Sequence, residues 1–284
     1  MSSVALPCDW EDSSSTCQTS RVAAEEELLA GGVANAGAVV RVGNEVRRPW
    51  NEFTASAHRF LRDVREVGFS GIPVPLGAHE DGRERLSFVP GDVPVPPYPA
   101  WAQSDQALAS VAGLMRRFHD AARSVALEGA WSSELSDPQG GPLICHNDVC
   151  LENVVFRDGS AVALLDWDFA APGSPVYDLA QMARMCVPVD DDLSASRLGW
   201  EKANTPQRLR LVSDTYELDR PGRNDLLSYL DESMRAGGRF VQRRVEAGDD
   251  NFIRMWDGMG GMERYDRRRS WWCNVRNDFE EALQ

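Results

Sequence analysis

Lysine is almost absent from this sequence, because Lys202 is the only lysine among 30 basic residues and all the others are arginines. Any mechanism that needs a lysine therefore has a single candidate. The chain also lacks an uninterrupted apolar run of the ~20 residues that a membrane-spanning helix requires. Its six cysteines form no Cys-x-x-Cys pair, so neither a zinc knuckle nor a thioredoxin-type redox site is indicated.

Acidic residues outnumber basic ones by 44 to 30, which gives a net charge of −14. A nucleic-acid partner would need a basic face, so none is expected, whereas a cationic ligand is compatible with this charge. The hydrophobic and charged fractions, 43% and 26%, are those of a soluble globular protein. Residues 1–19 lack the basic start and apolar centre of a secretory signal. We therefore expect a cytoplasmic protein without a membrane partner, and a monomer by default.

The order of patterns along the chain predicts an α+β fold with two lobes. Residues 1–20 are rich in Ser and Thr and read as a disordered tail. Residues 21–91 are predicted to form short strands with turns at Gly43-Asn44 and Asp81-Gly82. They also contain one helix, which Thr54 caps and which runs to about Val67, the last residue of its apolar stripe. This predicts a small N-terminal antiparallel sheet lobe. A proline-rich crossing follows Gly91, and residues 92–284 are mostly helical, which predicts a larger C-terminal lobe whose first helix is capped by Ser104.

The chemistry is concentrated in residues 144–168. Asp148 and Asn153 are five residues apart, and Asp166 follows the next apolar run. Asp158-Gly159 predicts a hairpin turn between the two apolar runs, which would bring Asp148, Asn153 and Asp166 to one place. Phosphoryl transfer to an alcohol needs such a set. One carboxylate orients the hydroxyl and accepts its proton, while oxygen ligands hold magnesium against the nucleotide phosphates.

These residues resemble the aminoglycoside phosphotransferase and choline kinase superfamily. The motifs are residues 146–153, the run Leu165-Asp166-Trp167-Asp168 and the run Tyr177-Asp178-Leu179-Ala180. The resemblance implies a bilobal, protein-kinase-like fold and an enzyme that moves the γ-phosphate of a nucleoside triphosphate to a small-molecule hydroxyl. It implies that Asp148 is the base, that Asn153 and Asp166 bind Mg²⁺, and that other residues support the site structurally, namely His146, Asp168 and Asp178.

Local alternatives stay open for the supporting residues. Asp178 precedes the helical run 179–185, so the sequence favours an N-cap role for it. His146 is more typical of a hydrogen-bonded structural histidine than of an acid-base group. Asp168 fits a supporting carboxylate, a further metal ligand or a cap. A metal-dependent hydrolase that uses Asp148, Asp166 and Asp168 is another hypothesis for the function. It does not explain the five-residue spacing between Asp148 and Asn153.

The sequence departs from the family at the third strand, where the usual lysine is replaced by Arg48, and the following helix offers His58 where a glutamate is expected. Arginine still supplies a positive charge that can bind the phosphates of the donor nucleotide. The sequence predicts ATP or GTP as this donor and does not distinguish between the two. The alternative is a kinase-like binding protein with impaired catalysis. The remaining predicted nucleotide contacts are a glycine loop and the lobe crossing: Gly31, Gly32, Asn35, Phe88, Val89, Pro90 and Gly91.

Acidic residues in the helical lobe favour a cationic acceptor, most simply an aminoglycoside or a similar antibiotic. The candidates are Asp190, Asp191, Asp192, Glu217, Asp231 and Glu232. A solvated acidic surface is the alternative for the Asp190–Asp192 triplet. Other members of the superfamily phosphorylate macrolides, choline, homoserine or sugar amines, so these acceptors stay open as well.

Overall fold

A computed structural model describes residues 26–29, 33, 35 and 37–284. The predictions for the tail, Gly31 and Gly32 lie outside these residues. The first part of the described chain is a five-stranded antiparallel sheet in the order β1-β2-β3-β5-β4. Its strands are β1 (Glu27–Leu28), β2 (Val40–Val42), β3 (Glu45–Arg48), β4 (Pro75–Ala78) and β5 (Glu84–Ser87). The predicted turns at residues 43–44 and 81–82 connect β2 to β3 and β4 to β5.

One helix, α1 (Thr54–Glu66), follows β3 and packs its apolar stripe into the core. Thr54 was predicted to cap this helix, but it is the first helical residue and the N-cap position is Phe53. Asn51 organises the start instead, because its side-chain oxygen accepts hydrogen bonds from the Phe53 backbone N–H (2.9 Å) and the Thr54 hydroxyl (3.1 Å). Val67 lies past the helix end and is 48% exposed, so the apolar stripe stops at Val64.

The crossing after β5 is fastened to the later hairpin. Asp92 and Phe156 exchange two backbone hydrogen bonds of 2.8 Å. Gly91 has φ +149°, and a Cβ at this position would lie 2.5 Å from the carbonyl oxygen of Phe156. Only glycine fits so close an approach of two backbones.

Helix α2 (Asp105–Ala122) opens the helical part, with the Ser104 hydroxyl accepting from Ala107 N–H at 3.1 Å, which confirms the predicted cap. Four strands follow in two pairs. They are β6 (Leu143–Cys145), β7 (Val154–Arg157), β8 (Ser160–Leu164) and β9 (Ala171–Gly173). Strands β7 and β8 form the predicted hairpin around Asp158-Gly159, and β6 pairs with β9. The hairpin therefore places the loop before β7 beside the segment after β8.

The rest of the described chain is helical. The helices are α3 (Pro175–Cys186), α4 (Asp192–Arg197), α5 (Thr205–Thr215), α6 (Arg220–Glu246), α7 (Asp250–Met259) and α8 (Gly261–Leu283). Helix α6 packs on α3, and α8 packs on α5 and α6. The main hydrophobic core runs continuously from α1 through α2 and the hairpin to the end of α8. Within the described residues, no helix combines the length and apolar character needed to span a bilayer.

Candidate active site

Asp178 anchors the loop between β6 and β7, which carries the predicted catalytic residue. The side chain of Asp178 is fully buried and accepts hydrogen bonds from the backbone N–H groups of His146 and Asn147, each 2.7 Å long. It also contacts His119 Nε2 at 3.0 Å. Burial alone would raise the pKa of Asp178, but these partners hold it below its usual value. The predicted N-cap role is wrong, because the cap of α3 is Ser174 and Asp178 lies inside the helix.

His146 links the loop to the strand before Asp166. Its ring is buried, and burial lowers the pKa of His146, which favours the neutral imidazole. Nε2 lies 2.8 Å from the carbonyl oxygen of Leu165, and Nδ1 lies 3.3 Å from the backbone nitrogen of Asp148. In the neutral ring, Nε2–H donates to Leu165 and Nδ1 accepts from Asp148. These contacts are those of a positioning residue.

Asp148 and Asn153 are in direct contact. The amide nitrogen of Asn153 donates to the backbone carbonyl of Asp148 (2.9 Å) and to its Oδ2 (3.3 Å). Burial and then repulsion from Asp166 raise the pKa of Asp148 to about 8, against the attraction of Arg184 and the Asn153 hydrogen bond. A carboxylate with a raised pKa is a stronger proton acceptor than an ordinary aspartate.

Asp166 lies on the other side of the hairpin and has a left-handed backbone, with φ 61°. Such a conformation costs a non-glycine residue about 1 kcal/mol or more and is held by its surroundings. The Leu165 N–H donates to the Asn153 carbonyl at 2.8 Å, which fixes the segment before Asp166 to the loop before β7. Asn153 and Asp166 both line a cavity of about 270 Å³ under the five-stranded sheet. The fold thus brings the three predicted residues together.

Arg48 lines the same cavity and is 6% exposed. Its Nη1 donates to Asp166 Oδ1 at 2.7 Å, its Nη2 donates to Asp168 Oδ1 at 2.8 Å, and its Nε donates to Glu84. Burial alone would lower the pKa of Arg48, but the three carboxylates outweigh burial and raise it. The single positive charge of Arg48 therefore interacts with all three of these carboxylates.

Glu84 was not anticipated from the sequence. It lies on β5 directly opposite Arg48 on β3, and its other carboxylate oxygen is 2.7 Å from Nε2 of His58 on α1. His58 thus reaches Arg48 through Glu84, in the place where a glutamate on this helix was expected. Only the register of β3 against β5 could have identified Glu84, and sequence patterns do not predict the register of two strands that are separated by a helix.

Asp168 collects hydrogen bonds from the sheet side of the site. Its carboxylate accepts from Asn35 Nδ2 and Asn51 Nδ2, each at 3.0 Å, and from Arg48. Burial and then repulsion from Asp166 raise its pKa. Asn35 lines the 270 Å³ cavity, as do three of the four predicted crossing residues: Phe88, Val89 and Gly91. The fourth, Pro90, offers its carbonyl to Arg157 Nε at 2.8 Å.

The acidic residues predicted for the acceptor are not gathered in one cleft. Four of them contact arginines closely: Asp190 with Arg264, Asp191 with Arg267, Asp231 with Arg276, and Glu232 with Arg235 and Arg239. Asp191 also caps α4. Glu217 is exposed and 3.6 Å from Arg116. Asp190 and the exposed Asp192 line a separate cavity of about 730 Å³ between α4, α5 and α8.

The donor set of Asn153 and Asp166 fits magnesium. The Asn153 amide nitrogen faces Asp148, which leaves its oxygen for a cation, and Asp166 adds a carboxylate on the same cavity. Across the described residues, no group of three or more His, Cys, Asp or Glu side chains forms a metal cage. Magnesium at nucleotide sites uses one or two protein ligands plus phosphate oxygens and water, so no such cage is needed.

Comparisons with known proteins identify the family of this chain. A family model described as the phosphotransferase enzyme family (APH) matches residues 126–212. The trifolitoxin immunity protein of Rhizobium leguminosarum bv. trifolii is 32% identical over 213 residues, which cover 72% of this chain and 79% of the relative.

Two solved structures share the fold. A choline/ethanolamine kinase family protein from Mesorhizobium loti aligns with a TM-score of 0.59 at 16% identity, covering 91% of each chain. The GDP complex of aminoglycoside 2'-phosphotransferase-IIIa aligns with a TM-score of 0.59 at 14% identity, covering 89% of this chain and 95% of the other. The predicted α+β, kinase-like fold class is confirmed, and the chain belongs to the phosphotransferase enzyme family.

Proposed function

We propose that this protein transfers the γ-phosphoryl group of a nucleoside triphosphate to a hydroxyl group of a small molecule. The observation that carries the proposal is the convergence of Asp148, Asn153 and Asp166. The Asn153 amide contacts the backbone carbonyl oxygen and the Oδ2 atom of Asp148, and Asn153 lines a cavity together with Asp166. A proton acceptor thus contacts one of two oxygen ligands that line the same cavity, and phosphoryl transfer to an alcohol requires these three groups near one another.

Each residue has a defined role in this proposal. Asp148 orients the acceptor hydroxyl and, in its ionised form, takes its proton. Asn153 and Asp166 would hold Mg²⁺, which when bound supplies charge that neutralises the phosphate oxygens. Arg48 reaches the same cavity and would contact the phosphates, because its guanidinium fork matches phosphate oxygens. Since Arg48 also pairs with Asp166, it keeps that carboxylate oriented toward the cavity.

The nucleotide base would lie against the crossing after β5. Phe88, Val89 and Gly91 line the cavity together with Leu86 and Val46, which gives this part of the cavity apolar walls. Backbone groups at such a crossing can bind adenine or guanine, so we propose ATP or GTP as donor. The relative named for trifolitoxin immunity supports a protective role, in which the acceptor is a toxic compound inactivated by phosphorylation.

The test is substitution of Asp148 by Asn. This change keeps the shape and the Asn153 contact but removes the proton acceptor, so transfer should fall by at least about 10²-fold, the lower range for general-base catalysis. Binding of Mg-ATP and Mg-GTP, measured by calorimetry, should stay within about two-fold. The control is Asp158→Asn in the exposed hairpin turn at the other end of β7 and β8, which should keep full activity.

Two results would decide against the proposal. Full turnover by the Asp148→Asn variant would remove Asp148 from the mechanism. Failure of both nucleotides to bind at millimolar concentration would favour the alternative, a binding protein with a kinase-like fold and no catalysis. The acceptor is best sought by a nucleotide-consumption screen across aminoglycosides and other antibiotics, choline, amino alcohols and hydroxy acids.

A further inference from the structure

A third cavity, of about 430 Å³, lies between α6 and α8 and shares no lining residue with either cavity described above. Helix α6 contributes Asp231, Met234 and Arg235, whose spacings of three and four residues place them on one face of the helix. Helix α8 contributes residues at a similar helical spacing: Tyr265, Arg268, Arg269, Trp272, Cys273 and Arg276. The facing sides of two long helices therefore form this cavity.

Two contacts hold α6 and α8 together at this cavity. The Trp272 side chain is buried, and its Nε1 donates to Asp231 Oδ1 at 2.6 Å. The Tyr265 ring packs directly on the backbone of α6 at Gly238, where any Cβ would clash with the ring. The cavity is thus part of a packed helix–helix interface, and its shape is fixed by side chains on both helices.

Positive charge predominates in the lining, which contains four arginines and a single carboxylate, although the net charge of the chain is −14. That carboxylate, Asp231, already accepts hydrogen bonds from Trp272 and from Arg276 Nε, the latter at 3.1 Å. Arg235 is paired at 3.0 Å with Glu232, which lies outside the lining. Neither carboxylate is free to neutralise the other two arginines of the lining.

Arg268 and Arg269 are these two arginines. Arg269 is exposed and forms no hydrogen bond or ion pair with any other residue that the structure describes. Arg268 is half-buried, its Nη2 donates to the carbonyl of Val189 at 3.3 Å, and its Nε is 3.6 Å from Asp190. Asp190 already accepts a 2.7 Å hydrogen bond from Arg264. Guanidinium groups that line one cavity without sufficient counter-charge repel one another, and an anion between them would remove this repulsion.

We propose that this cavity binds a small organic anion, whose oxyanion group is held by Arg268 and Arg269. Planar guanidinium groups match carboxylates and similar oxyanions in geometry and form charge-assisted hydrogen bonds with them. The apolar part of the ligand packs on Met234, Tyr265 and Trp272, which supply the uncharged walls. The site is separate from the candidate active site, so this inference does not depend on the proposed phosphotransferase function.

Cys273 provides a reporter for occupancy, because its exposed thiol lines the same cavity. The rate at which the neutral reagent N-ethylmaleimide modifies Cys273 is measured by peptide mass mapping, with and without a probe. The two probes, phenylacetate and phenylacetamide, are similar in shape and differ in charge. Ligands this small typically bind in the millimolar range, so ~10 mM phenylacetate should slow the modification at least about two-fold. Phenylacetamide at the same concentration and ionic strength should leave the rate unchanged.

Arg269→Gln is the deciding variant, because Arg269 is exposed and its loss should affect folding little. In each protein the rate with the probe is divided by the rate without it, which removes any direct effect of the substitution on the thiol. Arg269→Gln should lose the protection by phenylacetate. The matched control is Arg254→Gln, an exposed arginine on α7 outside the cavity, which should keep it.

The thermal unfolding midpoint gives a second readout. Phenylacetate should raise the midpoint of the wild-type protein and of Arg254→Gln more than phenylacetamide does, and this difference should disappear in Arg269→Gln. An unchanged rate of Cys273 modification with phenylacetate, equal protection by phenylacetamide, or full protection in Arg269→Gln overturns the proposal. Loss of protection in Arg254→Gln overturns it too, because the effect would then follow the net charge of the protein and not this cavity.

Discussion

Replacing Arg48 by Met should destabilise the protein strongly, because it leaves three carboxylates without their counter-charge. The side chains of Arg48 and Glu84 are 8% and 2% exposed, and those of Asp166 and Asp168 are 23% and 18% exposed. Removing one partner of a buried ion pair costs about 3–5 kcal/mol. We expect a loss of free energy of unfolding in that range, which is a large share of the roughly 5–15 kcal/mol of a typical protein.

Urea unfolding without nucleotide is the assay, with the slope of free energy against urea checked for constancy. The matched control is Arg85→Met on the neighbouring strand. Arg85 also forms a two-bond pair with a glutamate, Glu45, but the two side chains are 30% and 26% exposed, so the loss should be about 0–1 kcal/mol. Arg48→Lys should fall between the two, since one ammonium group keeps the charge but cannot reach three carboxylates.

Magnesium gives this prediction a second readout. Without Arg48, Mg²⁺ becomes the available counter-charge for Asp166, so MgCl₂ should stabilise the Arg48→Met variant more than the wild-type protein. The reasoning would be refuted if Arg48→Met cost no more than Arg85→Met, because the ion-pair cluster would then contribute nothing beyond a surface pair.

Two further predictions concern positions outside this cluster. Gly91→Ala should lower the thermal unfolding midpoint far more than Gly82→Ala. Both glycines have positive φ, but only at Gly91 would the new Cβ lie 2.5 Å from the Phe156 carbonyl oxygen. Equal shifts of the midpoint would contradict this close approach of the two backbones. Asp178→Asn should cost about 1–3 kcal/mol at pH 7, as a charged buried acceptor is replaced by a neutral one. The pKa of Asp178 is depressed in the folded protein, so its contribution is complete above about pH 4 and disappears as pH falls through the lower folded value. Urea unfolding from pH 7 to pH 3 should therefore show the two proteins converging in acid, and a constant difference would contradict this assignment.

Local sequence signals predicted most of the elements around the site. The Asp158-Gly159 turn between two apolar runs specified the β7–β8 hairpin, and Ser104 specified the start of α2. Both depend on neighbours within a few residues, so short-range rules suffice. Local signals failed at the start of α1, where Thr54 is the first helical residue and its hydroxyl bonds to Asn51. They also failed at Asp178, whose side chain bonds to the loop between β6 and β7 and does not cap its own helix.

The sequence alone determined that Asp148, Asn153 and Asp166 occur at spacings that a single hairpin can bring together, since every contact needed for that convergence is close along the chain. The tertiary structure alone decided the partners that join distant segments. Glu84 meets Arg48 only because β5 pairs with β3, and His119 meets Asp178 only because α2 packs against α3. Such partners depend on strand register and helix packing, which are set by the whole core. The pattern of residues along one segment therefore does not predict them.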